Sequence, residues 1–304
     1  NKGVITDLLR NQMGFKGIIN SATGPLTGMP WGVEKRTKKE RYKKAIEAGV
    51  NLFSGESDPT MLLEVIDSGM VDISYINNSV LLLLNEKFKL GLFENPYVDL
   101  KTAIKVTRDP ASEKLALRAA RESIVLLKND KLLPLSKNKY KKIAVIGPCA
   151  KYVSFGGYAG EPYHKVSLFD GIMKKVGTKT EVLYAEGCKI TANPTIPFFN
   201  WKLDEIKFPS KEENMKLISN AVNVAKKAEV VILAIGENEH LCREAWAKTH
   251  IGDNMTLDLF GQQDELVKAI VALGKPVVVY LMNGRPLSIN YIAKNVPAII
   301  EGWY

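Results

Sequence analysis

The sequence predicts an α/β protein in two parts, on three observations. Residues 1–90 alternate strand and helix signals in the order β–α–β–α, the repeating unit of parallel α/β folds. Beyond residue 110 a second α/β run begins, and most of its strands are near-continuous Val/Ile/Leu stretches, as strands buried on both faces require. Between the two, residues 95–110 carry Pro96 and Pro110 amid mixed polarity and read as a linker.

Residues 3–13 place Val4, Leu8 and Leu9 at helical spacing, leading into a short strand at 17–20. Residues 37–48 are a charged, amphipathic helix with Tyr42, Ala45 and Ile46 as its apolar side, and Gly49 stops it. Residues 50–53 form a short buried strand, followed by the polar turn Ser54-Gly55-Glu56-Ser57-Asp58-Pro59. Helices follow at 60–68 and 74–89, and Gly91 closes the second. In the second part a helix at 111–121 precedes a buried strand at 124–129. Further strands are expected at 143–147, 181–185, 230–236, 277–281 and 298–301, with helices at 168–176, 211–227, 261–273 and 287–293. Two strand–helix units cannot close an eight-unit barrel, and the chain stops directly after a strand. Both ends are therefore expected to lie inside a longer polypeptide.

Composition excludes several function classes. The 304 residues are 46% hydrophobic and 25% charged, an ordinary globular balance. The net charge of +9 is spread over short lysine runs with acidic residues between them, which reads as solvated faces rather than a nucleic-acid stripe. Cys149, Cys188 and Cys242 have neither disulfide-framework nor zinc-site spacing, and only three histidines occur. No metal and no cofactor are expected. The apolar run at 81–84 is far short of the roughly 20 residues of a membrane span. No basic-then-apolar leader pattern opens the chain. The Ile-Gly-Pro end of the 143–147 strand lacks a GxGxxG, and Phe155-Gly156-Gly157-Tyr158 lacks the Lys-Ser/Thr of a phosphate loop.

The chemistry is carried by Gly14-Phe15-Lys16-Gly17-Ile18-Ile19-Asn20-Ser21-Ala22-Thr23-Gly24, an apolar strand ending in a small polar loop. The segment resembles the GFxGxxxSD motif of glycoside hydrolase family 3, with Ala22 where that motif has its nucleophilic Asp. Further blocks resemble the family in the same order: Lys87 to Tyr97, Ala119 to Asn129, Leu132-Leu133-Pro134-Leu135, Ile143 to Pro148, and Met282-Asn283-Gly284-Arg285-Pro286. The resemblance implies the last strand–helix units of a (β/α)8-type barrel over residues 1–94. An α/β sandwich domain with a mainly parallel sheet would follow over 111–304. It also implies a retaining, exo-acting β-glycosidase of the bacterial β-glucosidase kind, inactive while Ala22 stands at the nucleophile position.

Retention requires two carboxyl groups, one attacking the anomeric carbon and one protonating the leaving oxygen. The resemblance puts the acid/base in the loop after the 230–236 strand and assigns it to Glu244, seven positions beyond Glu237 (237 + 7 = 244). Trp246, Arg243 and His240 offer the apolar and cationic surroundings such a group needs, and Arg243 is also expected to contact substrate. Glu239 and Glu237 are the other candidates, and Glu237 suits bracing of the loop equally well. Positions 22 and 244 would then stand about 5–8 Å apart. Ser21 and Thr23 flank the nucleophile position as substrate contacts or as turn formers. Ser54 and Glu56 follow the next strand, and Glu56 would bond sugar hydroxyls or serve structure. Trp31 would stack on a pyranose face or pack a surface loop. The implied partner is an oligosaccharide or β-glucoside, with no nucleic acid and no membrane span; a homodimer is compatible, and the compartment implied is periplasmic or extracellular. A non-catalytic carbohydrate-binding protein and a glycoside phosphorylase are the competing readings.

Overall fold

The computed structural model describes residues 1–24, 26, 32–55, 58–136, 139–155, 164–192, 206–242 and 254–304. These form two compact units, Asn1–Arg108 and Asp109–Tyr304.

In the first unit a helical segment over Gly3–Gln12 is wound wider than an α-helix, ending with the Met13 N–H donated to Leu8 O at 2.9 Å. Helix α1 (Lys38–Glu47) starts at a capping box, in which the Thr37 hydroxyl accepts from the Glu40 N–H while the Glu40 carboxylate accepts from the Thr37 N–H. Helices α2 (Thr60–Asp67) and α3 (Ile73–Lys89) follow. Their core gathers Tyr42, Ile46, Val65 and Val71, with the Tyr42 and Phe53 rings edge to face at 5.2 Å.

The strands expected at 17–20 and 50–53 are reduced to one parallel bridge, Asn20↔Leu52. Ile19 O accepts from the Asn51 and Leu52 N–H groups, and the Ser21 N–H donates to Leu52 O at 2.9 Å. The two segments run side by side in parallel register, but a pair of this length has too few ladder bonds to count as strands. The stretch expected to be a linker holds helix α4 (Leu100–Val106), which the Asp99 carboxylate caps by accepting from Thr102 N–H.

The second unit opens with α5 (Pro110–Ser123), whose proline sits in the first turn, where no N–H is needed. A six-stranded sheet follows: β1 (Val125–Asn129), β2 (Lys142–Ile146), β3 (Glu181–Ala185), β4 (Val230–Gly236), β5 (Val277–Met282) and β6 (Ala298–Glu301). Their spatial order is β1-β6-β5-β4-β2-β3, all parallel except β1. Strand β1 was expected to be buried; it is an exposed edge strand paired only with β6, antiparallel, Val125 opposite Glu301.

Side-chain alternation sorts the sheet into two faces. Ala144, Ile146, Val231, Leu233, Ile235, Val277, Val279 and Leu281 pack with Ile218, Ala221 and Ala225 of α7 (Lys211–Lys226) and Leu266, Val267 and Ile270 of α8 (Gln263–Val271). Ile143, Val145, Val230, Ala234 and Met282 face the other way, toward Leu168, Phe169 and Ile172 of α6 (Leu168–Val176). Helices α8 and α9 (Asn290–Asn295) begin later than expected. Gly261 has φ +67°, outside the helical range, and Ser288 is drawn into a parallel bridge with Asp258.

The connection from β3 returns across β2 to β4, so the winding direction reverses between β2 and β4. In open α/β sheets, ligand crevices form outside the carboxyl ends of the strands at such a point.

Candidate active site

In the first unit the loops after the paired segments bring Ser21, Ala22, Thr23 and Ser54 together. The Ser21 hydroxyl accepts from the Ser54 N–H at 3.1 Å and donates to Ala22 O at 2.9 Å. The Ser54 hydroxyl donates to Asn20 Oδ1 at 3.0 Å, and the Gly24 N–H donates to Ser54 O at 2.8 Å. Asn51 underpins them: its Oδ1 accepts from the Ile19 N–H and from Arg10 Nη2, both at 2.9 Å. Gly55 has φ +74°, and a Cβ there would fall 2.6 Å from Thr23 Cγ2, so only glycine lets these loops approach. Ser21 and Ser54 thus spend their hydroxyls on bracing, while Ala22 and Thr23 are exposed.

In the second unit, β4 ends in Gly236-Glu237-Asn238-Glu239-His240, and all four polar residues are buried, Glu237 with 0% exposure. Carboxylates are buried only when they are compensated. Glu237 Oε1 lies 2.6 Å from Arg285 Nε, an ion pair whose N–H points off the contact line rather than along it. Burial pushes the Glu237 carboxyl above the usual range and the Arg285 charge opposes that. Glu239 Oε1 accepts from the Phe155 N–H at 3.3 Å, and Asn238 Nδ2 donates to Thr191 Oγ1 at 3.0 Å.

The strand end itself is held by Gln263, fully buried at the start of α8. Its Oε1 accepts from the Gly236 N–H at 2.9 Å and its Nε2 donates to Gly236 O at 2.8 Å, replacing a lost ladder partner. Behind it, Asn214 bonds the Lys189 backbone on both sides and donates to Gln262 Oε1 at 2.7 Å. On the neighbouring strand ends lie Asn283 after β5 and Glu301 at the end of β6, whose Oε1 accepts from the Trp303 N–H at 3.1 Å. Burial raises the Glu301 carboxyl, and the Asn283 side chain opposes the rise. Burial also pushes the thiols of Cys149 and Cys188 up, the latter to about 12, so neither is a nucleophile at neutral pH.

Gly236 has φ +146°, and a Cβ there would sit 1.9 Å from Met282 O, a collision with backbone that no rotamer relieves. Gly236→Ala is expected to cost about 3 kcal/mol or more and lower Tm by about 6–12 °C. Unchanged thermal unfolding would show that the strand end is looser than described.

Of the residues singled out from sequence, Trp31, Glu56, Arg243, Glu244 and Trp246 lie outside the described residues. Gln263, Asn214 and the pairing role of Arg285 escaped sequence reading. Gln263 and Asn214 look like ordinary helix polar residues, and only Arg285, inside its Asn-Gly-Arg-Pro run, carried a signal. Among the described residues no group of three or more His, Cys, Asp or Glu side chains is placed to hold a metal ion. No helix among them is long and apolar enough to cross a membrane.

Two family models match the chain: the glycosyl hydrolase family 3 N-terminal domain over residues 1–85 and the C-terminal domain over residues 124–304. A β-xylosidase of Formosa agariphila is 36% identical over 322 residues, covering 100% of this chain and 41% of the relative. A periplasmic β-glucosidase of Salmonella typhimurium is 33% identical over 313 residues, covering 99% of this chain and 40% of the relative. The solved structure of a β-glucosidase from Erythrobacter marinus superposes with a TM-score of 0.87 at 33% identity, covering 100% of this chain and 41% of that one. The chain therefore spans about two fifths of the length of the curated relatives it matches.

Proposed function

Since the chain belongs to glycoside hydrolase family 3, we propose that it is part of a retaining, exo-acting β-glucosidase whose nucleophile position is occupied by Ala22. Residues 1–94 are the later barrel units in this reading and 111–304 the sandwich domain. Glu244 is the acid/base, in the loop after β4. One observation supports this more than any other: β4 ends at the point of reversed winding in a buried, braced run of polar residues, and Glu244 follows eight positions after Gly236 (244 − 236 = 8). A methyl group at position 22 removes the covalent route and leaves sugar recognition standing. The periplasmic relative favours a periplasmic or extracellular setting.

The Formosa relative favours a second reading, in which the terminal sugar is xylose. The two sugars differ by one hydroxymethyl group, a difference a fitted subsite reads at roughly 10–200-fold. Calorimetric titration of the full-length polypeptide with cellobiose and with xylobiose separates them. Cellobiose is expected to bind at least about 10-fold more tightly. The reverse order selects the xylosidase reading, and no heat with either sugar sinks both.

A further inference from the structure

We propose that Arg285 is the positioning residue of the acid/base loop, clasping both ends of the segment that carries Glu244. The inference rests on the assignment of Glu244 above, and its geometry lies wholly in the second unit. Arg285 Nε reaches Glu237 Oε1 at 2.6 Å on the near side of the segment. Its Nη1 donates to Thr256 O at 2.8 Å on the far side. One guanidinium thus ties a point seven residues before Glu244 (244 − 237 = 7) to a point twelve after it (256 − 244 = 12). A second strut lies inside the first: Asn254 Nδ2 donates to Leu241 O at 3.0 Å.

The clasp has a rigid mount. Arg285 stands three positions beyond the end of β5, and its own carbonyl accepts from Asn283 Nδ2 at 2.9 Å. Gly284 approaches the near stem closely enough that a Cβ there would lie 2.7 Å from Cys242 Sγ. Buried Glu237 cannot release the arginine to solvent without leaving an uncompensated charge behind. A general acid works only when held within about 0.5 Å of its productive place. Eighteen residues separate the two clasped points (256 − 237 − 1 = 18), and a loop of that length left open samples many placements. Arginine suits the task because its spread guanidinium charge pairs with Glu237 while its Nη1 donates to Thr256 O; a lysine ammonium is one point charge on a flexible stem.

The test uses the full-length polypeptide carrying Ala22→Asp, with and without Arg285→Lys. Amide hydrogen exchange in residues 239–242 and 254–258 is expected to quicken about 10-fold or more, with the rest of the unit unchanged. In parallel, kcat/KM for aryl β-glucosides with poor leaving groups should fall about 100-fold, because these need the proton. Activated aryl glucosides should keep kcat/KM within about 3-fold, with kcat and KM falling together because the same group activates water on the glycosyl intermediate. Unchanged exchange, or an equal loss for good and poor leaving groups, overturns the inference. Glu237→Gln, which keeps shape and removes charge, repeats the test should the lysine variant not fold. Failure of both to fold would make the pair a support of the whole sheet and overturn it too. Glu244→Ala alongside keeps the two claims apart: if it shows no selective loss, the acid/base assignment falls, while the exchange result still judges the clasp.

Discussion

Ala22→Asp in the full-length polypeptide is expected to raise hydrolysis of aryl β-glucosides by on the order of 10³-fold or more. The expectation follows from what the site lacks rather than from what it must be given. The bracing is in place: Asn51 orders the backbone before position 22, Ser21 and Ser54 lock the two loops together, and Gly55 allows their close approach. A nucleophile and an acid act as a unit, so removing one forfeits nearly the whole covalent route and restoring it recovers a comparable factor. Release of the chromophore, followed at saturating substrate, reads the effect. No gain would mean that position 22 is not where the sugar is attacked, and the carbohydrate-binding reading would take its place.

The second large effect is expected at Glu244, measured in the same Ala22→Asp background. Glu244→Ala should lower kcat/KM by about 10²–10⁴-fold for glucosides whose leaving groups need protonation. Dinitrophenyl glucosides, which leave unaided, should be nearly spared. The pH profile carries the sign. A general acid must hold its proton, so kcat/KM falls as pH rises through its pKa, and that alkaline limb should vanish in the variant. Added azide should then intercept the glycosyl intermediate from the face the missing base has vacated and give a glucosyl azide of retained configuration. If poor and good leaving groups suffer alike and the alkaline limb persists, the acid is another group. Glu239 is the first to test, buried and bonded to the Phe155 N–H as it stands.

The parts of the fold legible from sequence are those where one physical signal dominates. Strands β3, β4 and β6 read at their observed limits, because Val/Ile/Leu runs bounded by polar turns have no other stable place. Helix α1 read well because Tyr42, Ala45 and Ile46 form one apolar side at helical spacing and Gly49 stops it. Strand β1 did not: its Val-Leu-Leu run carries the composition of a buried strand, and nothing local tells an antiparallel edge from a parallel centre. The late starts of α8 and α9 were equally hidden, since they depend on Gly261 turning left-handed and on Ser288 pairing with Asp258. Past β4, sequence placed the strand end at Gly236 and missed the partners of that strand end and of Glu237. Arg285 meets Glu237 from 48 residues away (285 − 237 = 48), and Gln263 meets Gly236 from 27 (263 − 236 = 27), contacts that no periodicity encodes.

In the proposed function, position 22 is a vacated nucleophile site facing the anomeric carbon of a bound β-glucoside. It is tested most directly on the full-length polypeptide as it stands, with Ala22 in place, by supplying sodium azide and an activated aryl β-glucoside and determining the anomeric configuration of the product by NMR. Azide occupying the space of the missing carboxylate attacks from that face, so chromophore release should accelerate and the product should be an α-glucosyl azide. A β-glucosyl azide, or no response to azide while the glucoside demonstrably binds, would contradict it.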